Sequence, residues 1–126
     1  MDTLVRYGFS IEEIKNMMDS NQEIEKLNDK KISKLISILE KNNCNKDIIK
    51  NIFITNPFYL NKNPYEIEET IKEFKKIGIE NINLLIDSNP YIININKERI
   101  KIIIENLKKS QDDIVNYFYY NSSRIL

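Results

Sequence analysis

The sequence predicts an all-α solenoid of tandem helix-pair repeats, each about 32–35 residues long, and three observations predict it. Residues 82–93 match residues 49–60 position for position in residue type, and residues 14–22 and 114–122 carry shorter copies of the same element. Within every copy the apolar side chains fall at i, i+3 and i+4, one face of an α-helix. Each copy closes on an asparagine, and Asn21, Asn56, Asn89 and Asn121 stand 35, 33 and 32 residues apart, a spacing typical of stacked helical hairpins.

Taken in order, residues 1–7 form a partial repeat, because Leu4 precedes Gly8 by four residues as Phe74 precedes Gly78. The first full repeat covers about 8–42. Its first helix, A, carries Ile14, Met17 and Met18; its second helix, B, opens on Asn28 and Asp29 and carries Ile32, Ile36 and Leu39. The second repeat, about 43–77, has Ile49, Ile52 and Phe53 on A. It stops at Asn56-Pro57, because proline disfavours the α conformation in the residue before it. Its B helix opens on Asn63 with Pro64 at the first helical position, where a missing amide hydrogen costs nothing, and carries Ile67, Ile71 and Phe74. The third repeat, about 78–110, places Ile82, Leu85 and Ile86 on A, stops at Asn89-Pro90, and opens B on Asn96 with Ile100, Ile104 and Leu107 following. Residues 111–126 make a final partial repeat with Ile114, Tyr117 and Phe118. In each B helix a capping asparagine stands four residues before the first core isoleucine, with a carboxylate in the first turn.

At 126 residues the chain fits one helical-repeat domain, 1–126, with a core that needs neither metal nor disulfide. The 25 isoleucines, 16 lysines and absent alanine suggest an AT-rich genome, so β-branched content is not read as strand propensity. Cys44 is the only cysteine and no charged, apolar, small-residue leader follows Met1, which predicts a cytoplasmic, reducing location. Apolar runs such as residues 102–104 are far short of the roughly 20 residues that cross a bilayer, so no membrane partner is expected.

Histidine is absent, which removes the usual general base and the commonest metal ligand. Cys44 occupies the register position of Phe9 and reads as a packed thiol; one cysteine cannot build a zinc site. The carboxylate pairs Glu12-Glu13, Glu68-Glu69 and Asp112-Asp113 are adjacent on helices, so their side chains diverge and read as solvated faces. Gly8 and Gly78 stand alone at B-to-A breaks, where a helix cap wants positive φ. No catalytic residue, cofactor or metal is expected, and the chain reads as a binding module.

Nineteen basic and nineteen acidic residues cancel, so electrostatics act locally. The B segments (28–42, 62–77, 96–110) hold 13 basic and 8 acidic residues, the A segments (8–25, 43–61, 78–95, 111–126) 4 and 10. One layer is therefore mildly positive. Lys30, Lys31, Lys34, Lys97, Arg99, Lys101, Lys108 and Lys109 are the candidate phosphate contacts. With three arginines in the chain, bidentate base readout is scarce and weak sequence specificity follows. The competing class is a protein-interaction scaffold, or a small inhibitor or adaptor of another protein. Tyr65, Tyr91, Tyr119 and Tyr120 are its candidate anchors, with homo-oligomerisation through the C-terminal half-repeat as one form of it.

Gly8-Phe9-Ser10 followed by Glu12-Glu13-Ile14 opens the first repeat, and Asn56-Pro57-Phe58-Tyr59-Leu60 and Asn89-Pro90-Tyr91-Ile92-Ile93 close two A helices. B helices that end on an apolar residue four before a glycine complete the pattern. It resembles the repeat of the mitochondrial transcription termination factor (mTERF) family over nearly the whole chain. Gln22 and Ser122 depart from it where the inner copies have proline. The resemblance implies a right-handed solenoid and nucleic-acid binding in a basic groove. It also implies an organellar setting, which the absence of an Arg-rich, acid-poor leader does not support.

Overall fold

The computed structural model describes residues 2–107 and 110–121; Lys108, Lys109 and Ser122 lie outside the described residues. Among the described residues eight α-helices follow one another: α1 (Asp2–Tyr7), α2 (Ile11–Ser20), α3 (Asp29–Lys41), α4 (Lys46–Thr55), α5 (Pro64–Lys76), α6 (Ile82–Ser88), α7 (Lys97–Leu107) and α8 (Gln111–Asn121). They stack in two layers. The A helices pack in the series α2, α4, α6, α8, and the B helices in the series α1, α3, α5, α7. The chain is therefore an α-solenoid of tandem helix pairs, with no strand among the described residues.

The caps fall where the sequence places them. Asn28, Asn63 and Asn96 accept hydrogen bonds from the amides of Lys31, Tyr65 and Arg99 at 2.8–2.9 Å. Ser10 and Glu13 form a reciprocal capping box on α2, and the Ser10 amide holds the Glu13 carboxylate below its usual range. The first three B-to-A breaks share one geometry. Phe9, Cys44 and Ile79 each donate an amide hydrogen five residues back, to Leu4, Leu39 and Phe74, across a residue of positive φ. Those residues are Gly8 (116°), Asn43 (63°) and Gly78 (103°). This is the Schellman closure, in which a left-handed residue satisfies the last carbonyls and brings two apolar side chains together.

One element departs from the expected helix pair. After α2, α4 and α6 the chain does not simply stop: a five-residue 3₁₀ helix follows, at Gln22–Lys26, Pro57–Asn61 and Pro90–Asn94. In the second and third turns a proline at the first position lacks the amide that such a turn leaves unused, and Asn21 and Asn89 cap the first and third by accepting from Glu23 and Tyr91. Each repeat is thus α–3₁₀–α.

Asn21, Asn56 and Asn89 are buried, and Asn21 and Asn56 join consecutive repeats. Asn21 Nδ2 donates to Asn61 Oδ1 at 3.1 Å and to the Pro57 carbonyl at 3.2 Å, and Asn61 Nδ2 returns a bond to Asn21 Oδ1. One repeat on, Asn56 and Asn94 exchange bonds of 3.1 Å in both directions, and Asn56 also reaches the Pro90 carbonyl. The side chain of Asn121 is outside the described set. Tyr59, fully buried like Ile24 and Ile92 at the same position, donates its hydroxyl to the Leu35 carbonyl of the preceding repeat.

Between the layers lies the core. Ile14, Met17, Ile49, Ile52, Phe53, Ile82, Leu85, Ile86, Ile114 and Phe118 face inward from A helices, and Ile32, Ile36, Leu39, Ile67, Ile71, Phe74 and Ile100 from B helices. On α7 the expected stripe shifts: Ile103 is buried, whereas Ile104 and Leu107 are half-buried. Aromatic rings bridge the repeat boundaries, Phe9 stacking on Phe53 and Phe74 meeting Phe118 edge to face.

Cys44 is packed, as its register position predicts, and burial pushes its thiol from near 9 up to about 11. Burial raises Tyr59 as well. In both groups the folded state keeps a proton that the unfolded state loses, so their contribution to stability is complete below about pH 9 and declines as pH rises towards 11. The urea midpoint should therefore fall between pH 8 and pH 10.5, and Cys44→Val should flatten part of that fall. A wild-type midpoint constant across the interval would contradict the assignment.

Candidate nucleic-acid interface

The expected phosphate contacts divide into two groups. Lys30, Lys31 and Lys34 lie on α3, with Lys30 and Lys34 exposed and Lys31 half-buried; Lys97, Arg99 and Lys101 lie on α7. Helix α5 stands between the two groups. Lys34 turns towards α5 and places its ammonium 5.1 Å from the centre of the Tyr65 ring. From the other side, Lys97 meets Glu69 Oε2 at 3.7 Å. Arg99 and Lys101 are exposed on α7.

The sequence reasoning missed a better-converged set. Lys41 at the end of α3 and Lys72 and Lys75 on α5, with Glu68 as the one carboxylate, line a groove of about 190 Å³ floored by Ile38 and Ile71; Lys72 also meets Glu69 at 3.7 Å. The chain order does not show this set: Lys41 is far from Lys72 and Lys75 in sequence and meets them only where α3 packs against α5. Clustering along the chain favoured Lys30-Lys31 and Lys108-Lys109 instead. A second groove of about 420 Å³, between the N-terminal ends of α5 and α7, mixes Lys62 and Lys97 with Glu66, Glu69 and Glu98.

The A layer has the opposite balance. α6 and α8 contain no basic residue, and the two lysines of α4 are engaged locally. Lys46 sits over the Tyr7 ring, while Lys50 pairs with Glu13 at 3.4 Å and donates to the Gly8 carbonyl.

Of the candidate partner anchors, Tyr65 and Tyr120 are exposed. Tyr91 is half-exposed, and its hydroxyl donates to the Thr55 carbonyl across the repeat boundary at 2.9 Å. Tyr119 packs against the core, and its hydroxyl accepts the Asn81 amide hydrogen at 3.0 Å.

Stacked α–3₁₀–α units, one layer lysine-bearing and the other acidic, define a helical-repeat binding module. The mTERF family model matches residues 1–118, and the chain belongs to that family. Its members are non-catalytic, and this chain is a non-enzymatic helical-repeat module. The match corrects the expected cytoplasmic location, because the family's name implies the mitochondrion. No curated protein and no solved structure matches the chain significantly. Among the described residues no helix is long and apolar enough to cross a membrane.

Proposed function

We propose that the chain binds nucleic acid through its B-helix layer, with residues 1–126 acting as one unit whose repeats fall at about 8–42, 43–77 and 78–110. The carrying observation is the convergence of Lys41, Lys72 and Lys75 from two successive B helices on one groove. Lys30 and Lys34 extend this basic surface towards the start of α3, and Lys97, Arg99 and Lys101 supply more charge on α7. Nucleic-acid binding is the general property of the mTERF family and supports the same reading. Arg99 is the only guanidinium on α3, α5 and α7, so phosphate contact dominates and sequence preference is weak.

Titration of labelled duplex DNA and single-stranded RNA across 50–200 mM salt tests this. Each phosphate contact on a duplex contributes about 0.9 to the slope of log affinity against log salt. Replacing Lys41, Lys72 and Lys75 together by Gln should lower that slope by about two to three, while Lys15→Gln on the A layer should leave it unchanged. No binding of either polymer at low salt would remove the proposal.

Self-association through the C-terminal half-repeat draws support from Tyr120, 70% exposed on α8. A monodisperse monomer at high concentration in sedimentation would dismiss it.

A further inference from the structure

We propose that the edge formed by the 3₁₀ turns and the last turns of the A helices is a docking surface for a protein partner, which it engages through a short peptide segment that is apolar at one end and rich in Lys or Arg at the other. The amide pairs Asn21–Asn61 and Asn56–Asn94 hold the turns in register, so residues at one repeat position line up along this edge. The second residues of the three turns are Glu23, Phe58 and Tyr91; one turn earlier, on the A helices, stand Asp19, Ile54 and Asp87.

Two halves of this edge differ in chemistry. Ile54, Phe58 and Tyr91 are 39%, 56% and 49% exposed, although neighbouring Phe53, Tyr59 and Ile92 are completely buried. The core has taken the residues it needs, and these three remain outside it. Their placement on two consecutive repeats makes one apolar strip rather than scattered exposure. The Tyr91 ring is already oriented, since its hydroxyl is tied to the Thr55 carbonyl, so little ordering entropy is lost when a partner covers it. In the first repeat the strip gives way to an open cavity of about 600 Å³ lined by Met18, Asp19, Gln22, Glu23, Glu25 and Lys26. Three carboxylates face one ammonium there, and the half-buried Met18 supplies an apolar surface for the aliphatic stem of a lysine or arginine.

Charge complementarity therefore selects a cationic end and an apolar end. Packed helices lie about 10 Å apart, so the three repeats span about 20 Å, roughly six extended residues. This surface belongs to the A side of the molecule, and its occupancy does not depend on the nucleic-acid proposal.

The test is selection of a random peptide display library on the full chain, followed by titration of a synthetic copy of the most enriched peptide. Enriched sequences should combine Lys or Arg with Leu, Ile or Phe. Affinity should fall about 30-fold in Phe58→Ser with Tyr91→Ser, and about tenfold in Glu23→Gln with Glu25→Gln. All four positions are exposed, thermal melting checks the fold, and Phe58→Ser alone serves if loss of the Tyr91 bond weakens it. An empty selection, acidic or wholly polar winners, or affinity unchanged in either variant would overturn the proposal. A dimer abolished by Phe58→Ser would assign the edge to a second copy of the chain and overturn it equally.

Discussion

Phe53→Ala is expected to lower the free energy of unfolding by about 3–5 kcal/mol, the range for truncating a fully buried aromatic. Phe53 is completely buried on α4, stacks on Phe9 at 5.6 Å and meets Tyr59 at 5.6 Å, so one ring joins the first repeat, the A helix of the second and its 3₁₀ turn. In a quasi-one-dimensional stack each repeat contacts only its neighbours, and a cavity at a boundary weakens everything beyond it. Domains of this size have about 5–15 kcal/mol in total, so the variant should be close to unfolded at 37 °C. Phe58→Ala is the control: five residues away and more than half exposed, it should change stability by less than about 0.5 kcal/mol. Urea unfolding followed by circular dichroism gives both values, and equal losses would refute this account of the core.

Asn56→Ala should cost about 2–3 kcal/mol, more than the alanine replacement of an ordinary polar residue. The Asn56 amide is buried, exchanges two bonds with Asn94 and donates to the Pro90 carbonyl. Its removal leaves the amide of Asn94 and the Pro90 carbonyl without these partners, and an unsatisfied donor or acceptor away from water costs about 1–3 kcal/mol. The sharper measurement is a double-mutant cycle with Asn94→Ala. A coupling energy of at least about 1 kcal/mol is expected, because the two side chains satisfy each other. Strict additivity would mean that the pair does not hold the repeats together. Asn56→Asp should be damaging as well, since a carboxylate cannot donate to Asn94 Oδ1 or to the Pro90 carbonyl.

Much of this fold was legible because its signals are periodic or stereochemically narrow. The stripes at i, i+3 and i+4 located the helices, the asparagine caps located the starts of the B helices, and Gly8 and Gly78 located two left-handed closures; the closure at Asn43 came only from the structure. A five-residue 3₁₀ turn offers too few positions for any period to show, so Asn-Pro read as a stop and nothing more. The role of the marker asparagines was hidden for another reason. Asn61 and Asn94 lie five residues after Asn56 and Asn89, but each bonds a marker from the preceding repeat, about 40 residues away in the chain. At the interface, the layer that carries positive charge was readable from composition by element. The particular lysines were not, because Lys41, Lys72 and Lys75 become neighbours only when α3 lies against α5.

The reciprocal amide pairs also bear on how such a chain can lengthen. Residues 43–77 contain both halves of the connection, Asn56 reaching forward and Asn61 reaching back. A gene duplication of this segment would hand each new copy a ready-made joint on both sides. Copying residues 8–42 would instead set Lys26, which can donate but not reciprocate, where the joint requires an amide. Growth of the array from within, rather than from its first repeat, is the route this side-chain chemistry permits.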